Sequence, residues 1–128
     1  MKRVLPIAAA LGFIAFFITI IGIANRGEGS QWWAFIDRIP YGDKVGHLGL
    51  VGTLSFLCNL AFQPGKRSFF LPFLTTTTAI LGLLLTIEEI SQAFQPHRTC
   101  DPFDWLADLA GLAVGQAAAL RIQSRCCG

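Results

Sequence analysis

The feature that most limits what this chain can fold into is the way its charges are confined. Residues 4–24, 45–62, 69–87 and 102–120 form four apolar runs. The first and third carry no charge, the second has only His47 as an ionisable group, and the fourth holds Asp104 and Asp108. Each is about the length a membrane-spanning helix needs, roughly 17–25 mostly apolar residues. The chain is 53% hydrophobic and 14% charged, where a soluble domain carries about 25% charged residues. At 128 residues it has room for one domain. The reading is an all-α membrane protein: a four-helix bundle of four transmembrane helices in a single domain, residues 1–128.

The charges between the runs segregate. With four spans, Lys2, Arg3, Lys66, Arg67, Arg121 and Arg125 fall on one side, six bases and no acid. Arg26, Arg38, Lys44 and Arg98 fall on the other with all eight carboxylates. The positive-inside rule then places both termini in the cytoplasm. The basic "MKR" before the first run resembles a signal peptide, but that run exceeds the usual 7–15 apolar residues, so an uncleaved helix is expected.

The outer loop between the first two runs contains "SQWWAFIDRIP". Ser30 suits a helix cap, and Trp32, Trp33 and Phe35 suit the membrane interface. A short amphipathic helix is expected there. The second and third runs are joined by "QPGKR", which predicts an antiparallel hairpin. The "TTTT" of Thr75 to Thr78 is expected to bond back to carbonyls one turn earlier. Cys58, Cys100, Cys126 and Cys127 fall at three separate levels, so no internal disulfide is expected. There is no phosphate-binding glycine loop, and the basic tail is too sparse for nucleic acid.

Three run ends meet on the outer side, and they hold the polar residues. Asp43, Lys44 and His47 open the second run. Glu88, Glu89 and Gln92 close the third. Arg98, Asp101, Asp104 and Asp108 surround the start of the fourth. Asp43 and His47 are four apart and share a helix face, as do Glu88 and Gln92. Asp104, Asp108, Gly111 and Gly115 form one stripe, carboxylates above and glycines below, and the glycines permit close helix approach. Charges facing lipid are costly, so this stripe is expected to point into the bundle. Asp101, followed by Pro102, also reads as a helix cap with Asp104 in the capping-box position. Glu88 and Glu89 stand at a helix C-terminus, where the dipole disfavours negative charge. A purely structural network has no evident need of them there.

These residues resemble a known family. Asp43-Lys44-x-x-His47, then Glu89-x-x-Gln92-x-Phe94-x-Pro96-x-Arg98-x-x-Asp101-x-x-Asp104, then Ala107, Asp108, Gly111 and Gly115, are similar in order and spacing to the motif of the VanZ-like family of small bacterial membrane proteins. The likeness runs from residue 43 to residue 115. It implies a multi-pass protein of the bacterial plasma membrane. It also implies a role near cell-envelope components, since the family's name-giving member is associated with low-level teicoplanin resistance. The family usually carries Asn where Asp108 stands. An ionised Asp accepts hydrogen bonds but cannot donate them, so the change disfavours an anion and favours a cation at that position.

Three functions fit. In the first, the cluster binds or modulates an envelope component, a lipid headgroup or a lipid-linked cell-wall precursor. In the second, the chain is an enzyme on a lipid-linked substrate, with His47 or Glu89 as general base and Arg98 stabilising negative charge. Its metal-assisted form uses His47, Glu89, Asp104 and Asp108, an oxygen-rich set suited to Mg²⁺, Mn²⁺ or Ca²⁺. In the third, the cluster only fixes helix register. No cofactor is required by any motif.

Overall fold

In a computed structural model the chain is described for residues 4–27, 34, 38–40, 42–62, 74–96 and 100–127, without the side chains of Asp43, Cys126 and Cys127. The described residues form four helices and no strand: α1 Val4–Asn25, α2 Gly42–Ala61, α3 Thr76–Gln92 and α4 Pro102–Cys127. The expected outer-loop helix, with Ser30, Trp32, Trp33 and Phe35, lies outside the described residues. So does the "QPGKR" connection.

Helix boundaries follow local chemistry. The third apolar run begins at residue 69, but its helix starts at Thr76. Thr75 is extended (φ −71°, ψ 156°) and its hydroxyl accepts from the Thr78 N–H, the geometry of an N-cap. Asp101 caps α4, its Oδ1 accepting from the Phe103 N–H at 2.9 Å. With Pro102 at the first helical position, the cap matches the expectation. No proline or glycine after Gly115 interrupts α4, which continues past residue 120 to Cys127.

The helices alternate in direction. Lys44 and His47 at the start of α2 meet Asp101, Asp104 and Asp108 at the start of α4. Glu89 at the end of α3 reaches the same place, accepting from the Asp101 N–H. At the opposite end, Phe62 after α2 accepts from Thr77 near the start of α3. Ala10, early in α1, packs with Leu54, Cys58 and Ala61, late in α2. The starts of α1 and α3 and the ends of α2 and α4 therefore share one end of the bundle.

The α2–α4 interface is the most extensive of the four, and glycine makes it so. A Cβ built on Gly115 would collide with the Gly52 carbonyl oxygen and lie 2.8 Å from the Phe56 nitrogen. One on Gly111 would lie 2.8 Å from the Leu48 carbonyl oxygen. These neighbours are backbone and cannot swing aside. Val51, Leu85 and Leu112 then close an apolar layer between α2, α3 and α4.

Outside this core the helices expose many large apolar side chains. On α3, Ile80, Leu83, Leu84, Ile87 and Ile90 are exposed, whereas Thr78, Leu85, Glu89 and Gln92 are buried. The helix is inverted relative to a soluble amphipathic helix, with its polar groups inward and its oil outward. Of the four helices, α1 alone is both long enough and apolar enough to cross a membrane by length and composition. α3 is only 17 residues long, and α2 and α4 each carry charges near their starts.

The packing yields a direct test. Gly115→Ala should cost about 3 kcal/mol, the upper part of the overpacking range, because only backbone could yield. Gly49→Ala, which meets nothing within 4 Å, should be neutral or stabilise by up to about 1 kcal/mol, alanine's helix-propensity gain over glycine. Thermal melting of the two purified variants beside the parent chain reads the difference. Equal melting of both variants would contradict the α2–α4 contact.

Candidate functional site

The site is built where α2 and α4 begin and α3 ends. Close approach at Gly52, Gly111 and Gly115 sets α2 and α4 side by side, so residues one or two turns above the glycines face each other. The Lys44 ammonium lies between two carboxylates, donating to Asp101 Oδ2 and to Asp104 Oδ1 at 3.3 Å each. One turn deeper, His47 Nδ1 lies 2.9 Å from Asp108 Oδ1, and its Nε2 lies 3.9 Å from Asp104 Oδ2. An imidazolium can donate from both nitrogens, a neutral ring from only one. The cluster is graded in depth. Lys44, His47 and Asp101 keep part of their surface open, whereas the Asp108 side chain is 3% exposed.

Glu89 and Gln92 enter from α3. Both are buried, at 4% and 2% exposure. Gln92 Nε2 donates to Glu88 Oε2 at 2.8 Å and to Glu89 Oε2 at 3.2 Å. The other Glu89 oxygen accepts from the Asp101 N–H at 3.0 Å. In a capping box, an acid three residues into a helix takes the cap residue's own N–H. Here Asp104 holds that position but turns to Lys44 and His47, and Glu89 of α3 takes the N–H instead. The expectation that no structural need calls for a carboxylate at the end of α3 is therefore corrected for Glu89: it satisfies the N–H of Asp101, the residue that caps α4. Trp105, one residue past Asp104, adds a second tie to α3, its Nε1 donating to Thr86 Oγ1 at 3.0 Å.

Lys44, His47, Glu88, Glu89, Gln92, Asp101, Asp104 and Asp108 are thus brought to one end. Arg98 and the Asp43 side chain, expected to join them, lie outside the described residues, as does His97. Within this cluster, five described carboxylates, Glu88, Glu89, Asp101, Asp104 and Asp108, gather around one ammonium and one imidazole. The expected quartet for a metal, His47, Glu89, Asp104 and Asp108, is only partly assembled. Asp104 and Asp108 approach opposite ring nitrogens of His47, and Glu89 faces Asp101. Among the described residues no three His, Cys, Asp or Glu side chains are placed to hold one ion.

A second polar network, which sequence reasoning missed, lies past the Val51–Leu85–Leu112 layer. Ser55 Oγ donates to the Leu112 carbonyl at 2.9 Å. Asn59 Nδ2 donates to the Ser55 carbonyl at 2.8 Å and to Thr78 Oγ1 at 2.9 Å, and the Thr75 hydroxyl donates to Asn59 Oδ1. The Thr75 N–H donates to Gln116 Oε1 at 2.8 Å. Gln123 Nε2 donates to the Asn59 carbonyl at 3.1 Å. Thr75, Thr77 and Thr78 thus link elements or form a cap rather than bonding back one turn, as was expected. Thr19, Thr53 and Thr86 do bond back, each to the carbonyl four residues earlier. The signal for the network was present: His47, Val51, Ser55 and Asn59 step by four down α2, as Asp108, Leu112 and Gln116 do down α4.

Compared with known protein families, curated proteins and solved structures, the chain matches none.

The His47–Asp108 contact should be energetically coupled. In a double-mutant cycle of His47→Ala and Asp108→Ala, the single losses should fail to add by about 1–3 kcal/mol. Equilibrium unfolding of the four proteins measures this, and additive losses would contradict the contact.

Proposed function

We propose that this chain is a VanZ-like, multi-pass protein of the bacterial plasma membrane, with both termini cytoplasmic. On this reading its outer-end cluster binds the polar headgroup of an envelope lipid or lipid-linked cell-wall precursor. The observation that carries the reading is the combination of a buried, carboxylate-rich cluster with an apolar exterior. Ionisable groups are expensive within a membrane and mark sites there. Extended apolar surface is what a lipid-covered bundle presents. All four helices then cross the bilayer, α3 just long enough at 17 residues. Its acidic end and the starts of α2 and α4 lie at the outer surface.

The balance of groups favours one kind of headgroup chemistry. Lys44 and His47 already face Asp101, Asp104 and Asp108. A ligand entering here meets an excess of acceptors, so hydroxyl or ammonium donors suit it better than a bare phosphate. Asp108, where the family usually carries Asn, adds to that excess. A role in teicoplanin resistance follows from the family resemblance alone.

The enzyme reading draws on one contact. A carboxylate at His47 Nδ1 fixes the ring tautomer and leaves Nε2 as the base, the logic of a catalytic dyad. Here, though, Nε2 faces Asp104, and no nucleophile stands beside it among the described residues.

Melting of the detergent-purified chain against phosphatidylethanolamine, phosphatidylcholine, an undecaprenyl-phosphate lipid and Mg²⁺ tests the proposal. A ligand of the folded state raises the midpoint by mass action. A rise with a donor-bearing headgroup, lost in Asp104→Asn and His47→Ala, is expected. If no probe shifts the midpoint, while both variants melt far below the parent, the cluster is a structural network only.

A further inference from the structure

The outer cluster leaves unexplained the far end of α4. Val114, Ala117, Ala118, Arg121, Ile122 and Arg125 line an open groove of about 480 Å³. Their spacing of three and one, repeated, places them on one helix face. The face has a polarity gradient. Val114 and the two alanines form an apolar, shallow floor, small side chains leaving the hollow. Arg121 and Arg125 stand one turn apart at its end, roughly 6 Å along the axis at 1.5 Å per residue, and both are exposed. No aspartate or glutamate follows Asp108 in the sequence, and none lies between residues 45 and 87. This end of the bundle therefore offers the arginines no acid from α2, α4 or the start of α3.

We infer that this groove is a binding site for one anionic phospholipid, its phosphate held by Arg121 and Arg125 and an acyl chain lying along Val114, Ala117 and Ala118. The inference uses the membrane reading of the bundle but not the outer cluster. Guanidinium groups hold phosphate oxygens through paired hydrogen bonds, and two of them one turn apart can share one phosphate. The apolar floor sits on the bilayer side of the arginines, as a lipid with its headgroup at the surface requires. A helix C-terminus also favours cations, which accounts for the arginines' sign. It does not account for a hollow apolar face leading up to them.

The test is the melting midpoint of the full chain in neutral detergent with short-chain phosphatidic acid, phosphatidylcholine of equal chain length, or inorganic phosphate. Phosphatidic acid carries an anionic phosphate without the hydroxyl or ammonium donors that suit the outer cluster. At about tenfold excess over its Kd it should raise the midpoint by roughly 5 °C, and the other two should not. The rise should vanish in the double variant Arg121→Gln/Arg125→Gln. It should also vanish in Ala117→Phe, which keeps both charges and fills the exposed hollow. It should persist in His47→Ala, which alters only the outer cluster. An equal rise with phosphatidylcholine overturns the headgroup assignment, and an equal rise with inorganic phosphate overturns the lipid. A full phosphatidic acid response in Ala117→Phe, or its loss in His47→Ala, overturns the site.

Discussion

The close approach of α2 and α4 at Gly52, Gly111 and Gly115 is the constraint on which the rest of the structure depends. With Cβ atoms at Gly111 and Gly115, the helices would be forced apart by backbone atoms that cannot move away. Separated helices would not hold His47 against Asp108, nor Lys44 between Asp101 and Asp104. The polar contacts above the glycines and the tight packing below are consequences of one helix face. This arrangement suits a lipid environment, where association gains little from the hydrophobic effect and depends on packing and interhelical hydrogen bonds.

A second principle is the division of the interior into layers. The cluster at the starts of α2 and α4 is ionic and partly open. Val51, Leu85 and Leu112 form a dry layer beneath it. Below that, Ser55, Asn59, Thr75, Thr78 and Gln116 are buried and hydrogen-bonded to one another or to backbone. Neutral amides and hydroxyls satisfy each other fully and specify register without the desolvation cost of charge. The charged groups are kept at the end, where surface remains within reach.

Much of this was legible in the residues alone, for physical reasons. Uncharged runs and segregated charge pointed to four helices. The stripe from Asp104 to Gly115 identified the face that packs, because i, i+4 spacing is a geometric property of any helix. Asp101 as a cap was readable because capping is local. What was not readable depended on partners distant in the chain. Glu89 accepting the Asp101 N–H needs α3 and α4 to be placed first. Asn59 and Gln116 looked like isolated polar residues until three helices brought them together. The start of α3 at Thr76 rather than residue 69 reflects the Thr75 cap and its ties to Asn59, again a tertiary matter. Arg98 and the Asp43 side chain, prominent in the motif, lie outside the described residues.

The central claim is that α3 turns its oil to lipid and its carboxylate to the bundle. Spin labels placed singly at positions 80 to 92 of the reconstituted protein, with collision rates to oxygen and to a water-soluble nickel chelate, address it directly. Oxygen accessibility should rise and fall with a period of about 3.6 residues. Its maxima should fall at Ile80, Leu83, Leu84 and Ile87, with low collision by either reagent at Glu89 and Gln92. Strong nickel collision at Leu83 and Leu84 would mean that the exposed face meets water, and the lipid-covered bundle would have to be abandoned.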